Sequence, residues 1–240
     1  GKEGEYMKKI KIFTIIAMAF LMIFCISGNT NIAHAVNKET QNPGSYDISA
    51  DYAFRIRYTG DTNMQVYPNN GYSLDANNHW RLDSAYWSKG NVWARYNNVG
   101  IYNGRPIDIK VVYVDWNNPF RLSFDTTGIG GGYAKWTENN FNAGKYLDIR
   151  VEFYYHDTGE AAYIKGHEIV YDLDYFERWE ARSNITKIIK DSNQSYSDID
   201  ANTIGIGVGG TGANDGGSFA FLYEGTSYTY RWRGCYYQMG

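Results

Sequence analysis

The chain is poor in cysteine, in proline and in basic charge. It has 240 residues with 2 Cys, 4 Pro and a formal net charge of −3. Cys25 lies in an N-terminal apolar run, which leaves Cys235 alone in the remainder. One thiol cannot form an internal disulfide framework, so the fold must rest on its core. No clustered basic surface of the kind that binds nucleic acid is visible. Outside residues 12–26 no apolar run is long enough to cross a bilayer. Ala and Leu are also sparse beyond that run, which counts against helices.

What is abundant is aromatic: 17% of the chain, with 23 Tyr, 11 Phe and 7 Trp, alongside 26 Gly. Aromatic and β-branched residues suit a pleated, half-buried surface, and Gly suits the turns between strands. Such a composition can fill a core, which argues against general disorder.

The N-terminus reads as a targeting segment. Lys8, Lys9 and Lys11 follow Met7, an apolar run covers Ile12 to Ile26, and Ala33-His34-Ala35 has the small-x-small pattern of a signal peptidase site. Cleavage is expected after Ala35, with an uncleaved anchor as the alternative. Residues 1–35 are therefore set apart as leader and signal peptide. The remainder carries 19 basic and 24 acidic residues, a net of −5.

Residues 36–45 read as a flexible start and 46–240 as one domain. Leu147, Ile149, Val151, Phe153 and Tyr155 alternate with Asp148, Arg150, Glu152 and Tyr154, the period of a strand with one buried face. Asp157-Thr158-Gly159-Glu160 is a turn, after which the chain returns as a second strand and closes a hairpin. Tyr52–Tyr58 alternates and is expected to be the first clear strand. Further strands are expected near 64–67, 80–82, 92–96, 107–116, 120–124 and 203–208. A last hairpin is expected around Glu224-Gly225-Thr226. Residues 175–190 fit either strand or a short helix. Strands at this spacing predict an all-β, antiparallel sandwich of jelly-roll or immunoglobulin-like type.

Several strings occur together: Tyr102-Asn103-Gly104-Arg105-Pro106 before Asp115-Trp116, Glu152-Phe153-Tyr154 before Asp157-Thr158-Gly159-Glu160, and Phe221-Leu222-Tyr223-Glu224-Gly225-Thr226. In these the chain resembles a β-sandwich module of Gram-positive cell-surface proteins and fimbrial adhesins. The resemblance implies a secreted or cell-surface binding or stalk role and transfers no catalytic residue. An intramolecular Lys–Asn bond, which it also raises, is not favoured, since Lys110 lies on the polar phase of its strand.

Three chemistries are readable. Asp172 and Asp174 share one strand face, and Asp115 ends another strand. Together they are the candidate ligands for Ca²⁺, which takes oxygen donors. Paired carboxylates among Asp115, Asp172, Asp174 and Glu177 would serve a glycosidase, yet no local motif couples any two. His79, His156 and His167 show no metal-ligand spacing, and no Gly-x-Ser-x-Gly elbow is present. Tyr86, Trp87 and Trp136 fall in loops, where flat rings can stack on sugars or dock a protein. The expected function is thus a non-catalytic, adhesin-like module for a glycan or an extracellular protein. A secreted carbohydrate-active enzyme and a structural spacer are the alternatives.

Overall fold

The computed structural model describes residues 35–42, 46–117, 121–129, 131–132, 146–173, 178–192, 200–205 and 217–233. These form β1 (Asn37–Gln41), β2 (Met64–Tyr67), β3 (Tyr72–Leu74), β4 (His79–Leu82), β5 (Val92–Tyr102), β6 (Arg105–Asn117), β7 (Leu122–Asp125) and β8 (Gly131–Gly132). After these come β9 (Tyr146–Tyr155), β10 (Ile164–Leu173), β11 (Arg178–Ser183), β12 (Ile185–Asp191), β13 (Thr203–Gly205), β14 (Gly217–Gly225) and β15 (Ser227–Arg233). Two short 3-10 turns, η1 (Ala50–Tyr52) and η2 (Ser84–Tyr86), are the helical elements among the described residues.

The strands make an all-β sandwich. The larger sheet runs β13-β11-β15-β9-β6-β5-β2, the facing one β1-β12-β14-β10, and a third, β3-β4-β7-β8, flanks the first. Pairing is antiparallel except between β1 and β12. The period-two reading of residues 147–155 holds: Leu147, Ile149, Val151 and Phe153 are fully buried. They meet the inward residues of the facing sheet, where Phe153 stacks on Tyr223 at 5.3 Å and Tyr223 lies 4.5 Å from Tyr228. The third sheet joins the same core through Phe124, stacked on Tyr113 at 4.7 Å. Each such ring removes a large apolar area from water, and the pairs add about 1 kcal/mol beyond it.

Four expectations change, and one that was left open, strand or helix over residues 175–190, is resolved. β9 and β10 do not form a hairpin with each other. Tyr154 bridges Ala161, and then the chain leaves for the other sheet, where β10 pairs with β14. Gly159, at φ +72°, makes the turn that allows this. β14 and β15 likewise lie in opposite sheets. Tyr223 of β14 thus faces Tyr228 of β15 and Phe153 of β9 across the core rather than side by side with them in one sheet.

Tyr52–Tyr58 is not a regular strand. It runs beside β10 with a single bridge, Phe54 to Gly166, and the Ile56 N–H donates to the Glu168 carboxylate at 2.9 Å instead of to a backbone carbonyl. Part of the segment expected to be a flexible start, Asn37–Gln41, is β1. Finally, residues 178–191 are strand, β11 and β12, with Trp179 and Ile188 in the core.

The smaller sheet is covered on both faces. Ala220, Leu222 and Ile189 on its outer side pack against Tyr46, Ile48 and Tyr52. The outer face of the larger sheet keeps a polar and aromatic surface.

Candidate functional site

That outer face is built by the second phase of the strand alternation. Val92, Ala94 and Tyr96 of β5 point into the core, so Trp93, Arg95 and Asn97 point away from it. Register sets Tyr67 opposite Trp93 and Gln65 opposite Arg95. The Tyr67 and Trp93 rings stack with centroids 5.4 Å apart and planes 9° apart, and the Lys110 ammonium stands 4.7 Å from the Trp93 centroid. Tyr67 is 45% exposed at the sheet edge.

Beside this row lies a recess of about 320 Å³ lined by Asn63, Gln65, Arg95, Asn97, Asp108 and His156. Asp108 forms its floor and is 3% exposed. One carboxylate oxygen accepts the backbone N–H of Asn98 at 3.0 Å and sits 2.8 Å from His156 Nδ1. The other accepts from Arg95 Nη2 at 3.0 Å. A bulge in β5 makes this possible. Its pairing with β6 shifts between Tyr96 and Gly100, and Asn98 adopts φ +52°, which turns its amide toward Asp108. A buried carboxylate is tolerable only when paired and hydrogen-bonded, and here three donors satisfy it. The Arg95 guanidinium also stands over Tyr154, 5.2 Å from the ring centroid. On the other side, Asn97 accepts the Asn63 backbone N–H at 2.8 Å. Arg95, Asn97, Asp108 and His156 are therefore held before a ligand arrives.

A second recess of about 540 Å³ opens at one end of the sandwich, between Ala50, Phe54, Ile101, Tyr102, Asn103 and Lys165. Near it the Glu224 carboxylate accepts Tyr163 Oη at 2.8 Å, Lys165 at 3.2 Å and Tyr52 Oη at 3.0 Å. The Tyr163 bond first, then that of Lys165, holds its carboxyl below the usual range.

The residues expected from sequence lie elsewhere. Tyr86 ends η2, 43% exposed, with its ring against Gly71. Trp87 caps the same turn and is half-buried. Its indole N–H donates to the Leu82 carbonyl at 3.2 Å, and its ring meets Trp116 edge-on. Trp136 lies outside the described residues. Asp115, at the end of β6, is engaged by Lys89 at 2.5 Å, Tyr146 Oη at 2.7 Å and its neighbour's N–H at 2.8 Å. The Lys89 bond is the main reason its carboxyl lies below the usual range. Asp172 is in β10, in the opposite sheet from Asp115, and Asp174 and Glu177 lie outside the described residues. Among the described residues no three His, Cys, Asp or Glu side chains are grouped to hold a metal ion.

Sequence reasoning missed Arg95, Asp108 and His156 as one group. The signal available was the polar phase of residues 92–97 and 107–110; the pairing that unites them with His156 is tertiary.

No family profile and no curated protein matches the sequence. The fold is similar to the crystal structure of the N-terminal domain of the Streptococcus gordonii adhesin Sgo0707, with 12% identity and a TM-score of 0.48. The likeness covers 84% of this chain and 64% of that one.

Proposed function

We propose that the protein is a non-catalytic binding module that takes a glycan on the outer face of its larger sheet. The recess around Asp108 carries this reading. Its size suits one sugar unit, its side chains are amides, a guanidinium and an imidazole held in place, and an exposed ring stands beside it. Planar polar groups read hydroxyls, and a flat ring offers a sugar face a stacking surface. Among the described residues one carboxylate, Asp108, lines the recess, whereas acid–base glycoside hydrolysis uses two.

Export follows from the N-terminal pattern of residues 7–35, and a place at the cell surface suits an adhesin-like role. An extracellular protein is the second class of ligand, favoured by the other recess, whose lining residue Ile101 is 72% exposed.

Retention of the purified protein on a glycan array tests the first reading. Selective retention that Arg95→Ala and His156→Ala each abolish, with both variants still folded at the assay temperature, is the expected result. Retention on no glycan, or retention indifferent to both variants, overturns it.

A further inference from the structure

We infer that the recess selects an acidic sugar, one bearing a carboxylate or a sulfate. The inference rests on the glycan reading and comes from counting which hydrogen-bonding groups are already spent.

The strongest acceptors are used up internally. Both oxygens of Asp108 are engaged, one by the Asn98 N–H and His156 Nδ1, the other by Arg95. The side-chain oxygen of Asn97 accepts from the Asn63 N–H. The donors are not. Arg95 has five N–H groups and gives one to Asp108, and Asn97 keeps both hydrogens of its amide nitrogen. His156 spends Nδ1 on Asp108, which leaves Nε2, an acceptor in the neutral ring and a donor in the charged one. Asn63, bonded only through its backbone N–H, and Gln65 each keep a free side-chain oxygen and a free amide nitrogen. A recess whose one lining carboxylate is spent and whose guanidinium N–H groups remain is matched by a ligand that carries a charged acceptor.

Arg95 is well placed to serve such a ligand. Asp108 and the Tyr154 ring fix the guanidinium plane, so little side-chain freedom is lost on binding, and an oriented guanidinium takes two oxygens of one anion. Asp108 pairs with the guanidinium through one N–H and leaves its other N–H groups for a ligand. A neutral sugar would satisfy these donors with hydroxyls, yet a hydroxyl gives a weaker bond than a charged oxygen and brings a hydrogen that finds few acceptors.

The test compares a glucuronate-bearing oligosaccharide, its carboxyl-reduced counterpart and the sulfated form of that counterpart, by titration at low and at moderate salt. The expected result is that the uronate, the sulfated form or both bind at least about tenfold tighter than the neutral sugar, with the gap narrowing as salt rises. The arm that binds identifies the anion. Arg95→Gln should close the gap while Arg182→Gln, which removes the same charge from β11, should not. His156→Gln, which leaves the Arg95–Asp108 pair in place, should narrow it. Equal binding of neutral and acidic forms overturns the preference for acid and leaves the glycan reading standing. Preference for the acid that persists in Arg95→Gln also overturns it, since the anion would then be held elsewhere. Failure of all three sugars, with no retention on a glycan array, overturns both.

Discussion

Asp108 and His156 are 48 positions apart, yet Nδ1 of the imidazole sits 2.8 Å from the carboxylate. The carboxylate is on the outer face of a sheet, where strand alternation calls for exposure, and it is nonetheless buried. Its burial is achieved by Arg95, His156 and the bulged Asn98, so the carboxylate organises the recess rather than lining it as a free acid.

Removing that carboxylate should therefore cost more than removing the His156 ring. Asp108→Ala strands Arg95 and an inward-turned N–H, and a loss of about 3 kcal/mol is expected in denaturant unfolding. His156→Ala, which deletes a 39% exposed ring, should cost clearly less. Equal losses for the two would show that the carboxylate is not the centre of the network.

A second carboxylate gives stability a pH dependence. Burial pushes Glu168 up to about 7, against the opposing effect of the Ile56 N–H. A carboxyl raised in the folded state favours folding when protonated. Its contribution is full below about 4.5 and is lost as pH rises through 7. Unfolding free energy should fall by up to about 3 kcal/mol between pH 4.5 and 8 from this group. Glu168→Gln keeps an oxygen for Ile56 and should flatten that slope when chemical denaturation is repeated at pH 5 and pH 8.

Gly166 lies where a strand would normally carry a side chain. A Cβ there would come within 2.7 Å of Tyr223 Cζ and 2.8 Å of the Phe54 carbonyl oxygen. Gly166→Ala is expected to destabilise by about 1–3 kcal/mol, the usual cost of overpacking, and to loosen residues 52–58. Faster amide exchange of His167, whose N–H donates to Phe54, is the local readout.

Phe153 stacks on Tyr223, meets Phe54 edge-on, and is fully buried. Phe153→Ala should cost about 3–5 kcal/mol and lower the melting temperature by many degrees. Tyr155, two residues on and half-buried, should cost far less when truncated, which would confirm that the alternation tracks burial.

The fold class was legible because burial on a strand repeats every second residue, and Leu147 to Phe153 show that repeat without interruption. Which strand lies beside which was not. The turns at Asp157–Glu160 and at Gly225 look like hairpin turns, but the aromatics on both flanks, Phe153 before one and Tyr223 and Tyr228 around the other, pack face to face across the sandwich. Tyr52–Tyr58 alternates like a strand, but Glu168 replaces a ladder carbonyl with a side chain. The site was hidden for the same reason. Trp93, Arg95 and Asp108 each sit on a readable polar phase, but the bulge at Asn98 and the return of the chain to His156 follow no local pattern. Trp87 draws the eye as a loop aromatic, yet its N–H is committed to Leu82 and its ring to Trp116.

The parallel strand β1 has a consequence for the order in which the molecule assembles. Glu39 of β1 pairs with Lys187 of β12, 148 positions later, and none of the β1 side chains is fully buried. Loop closure over such a distance is entropically costly, and the contact rewards it with little apolar burial. Docking of β1 is therefore a late step that waits for β12 and β14 to pair. Until it happens, β12 presents an open strand edge to other chains, and a newly made molecule is most prone to self-association in that interval.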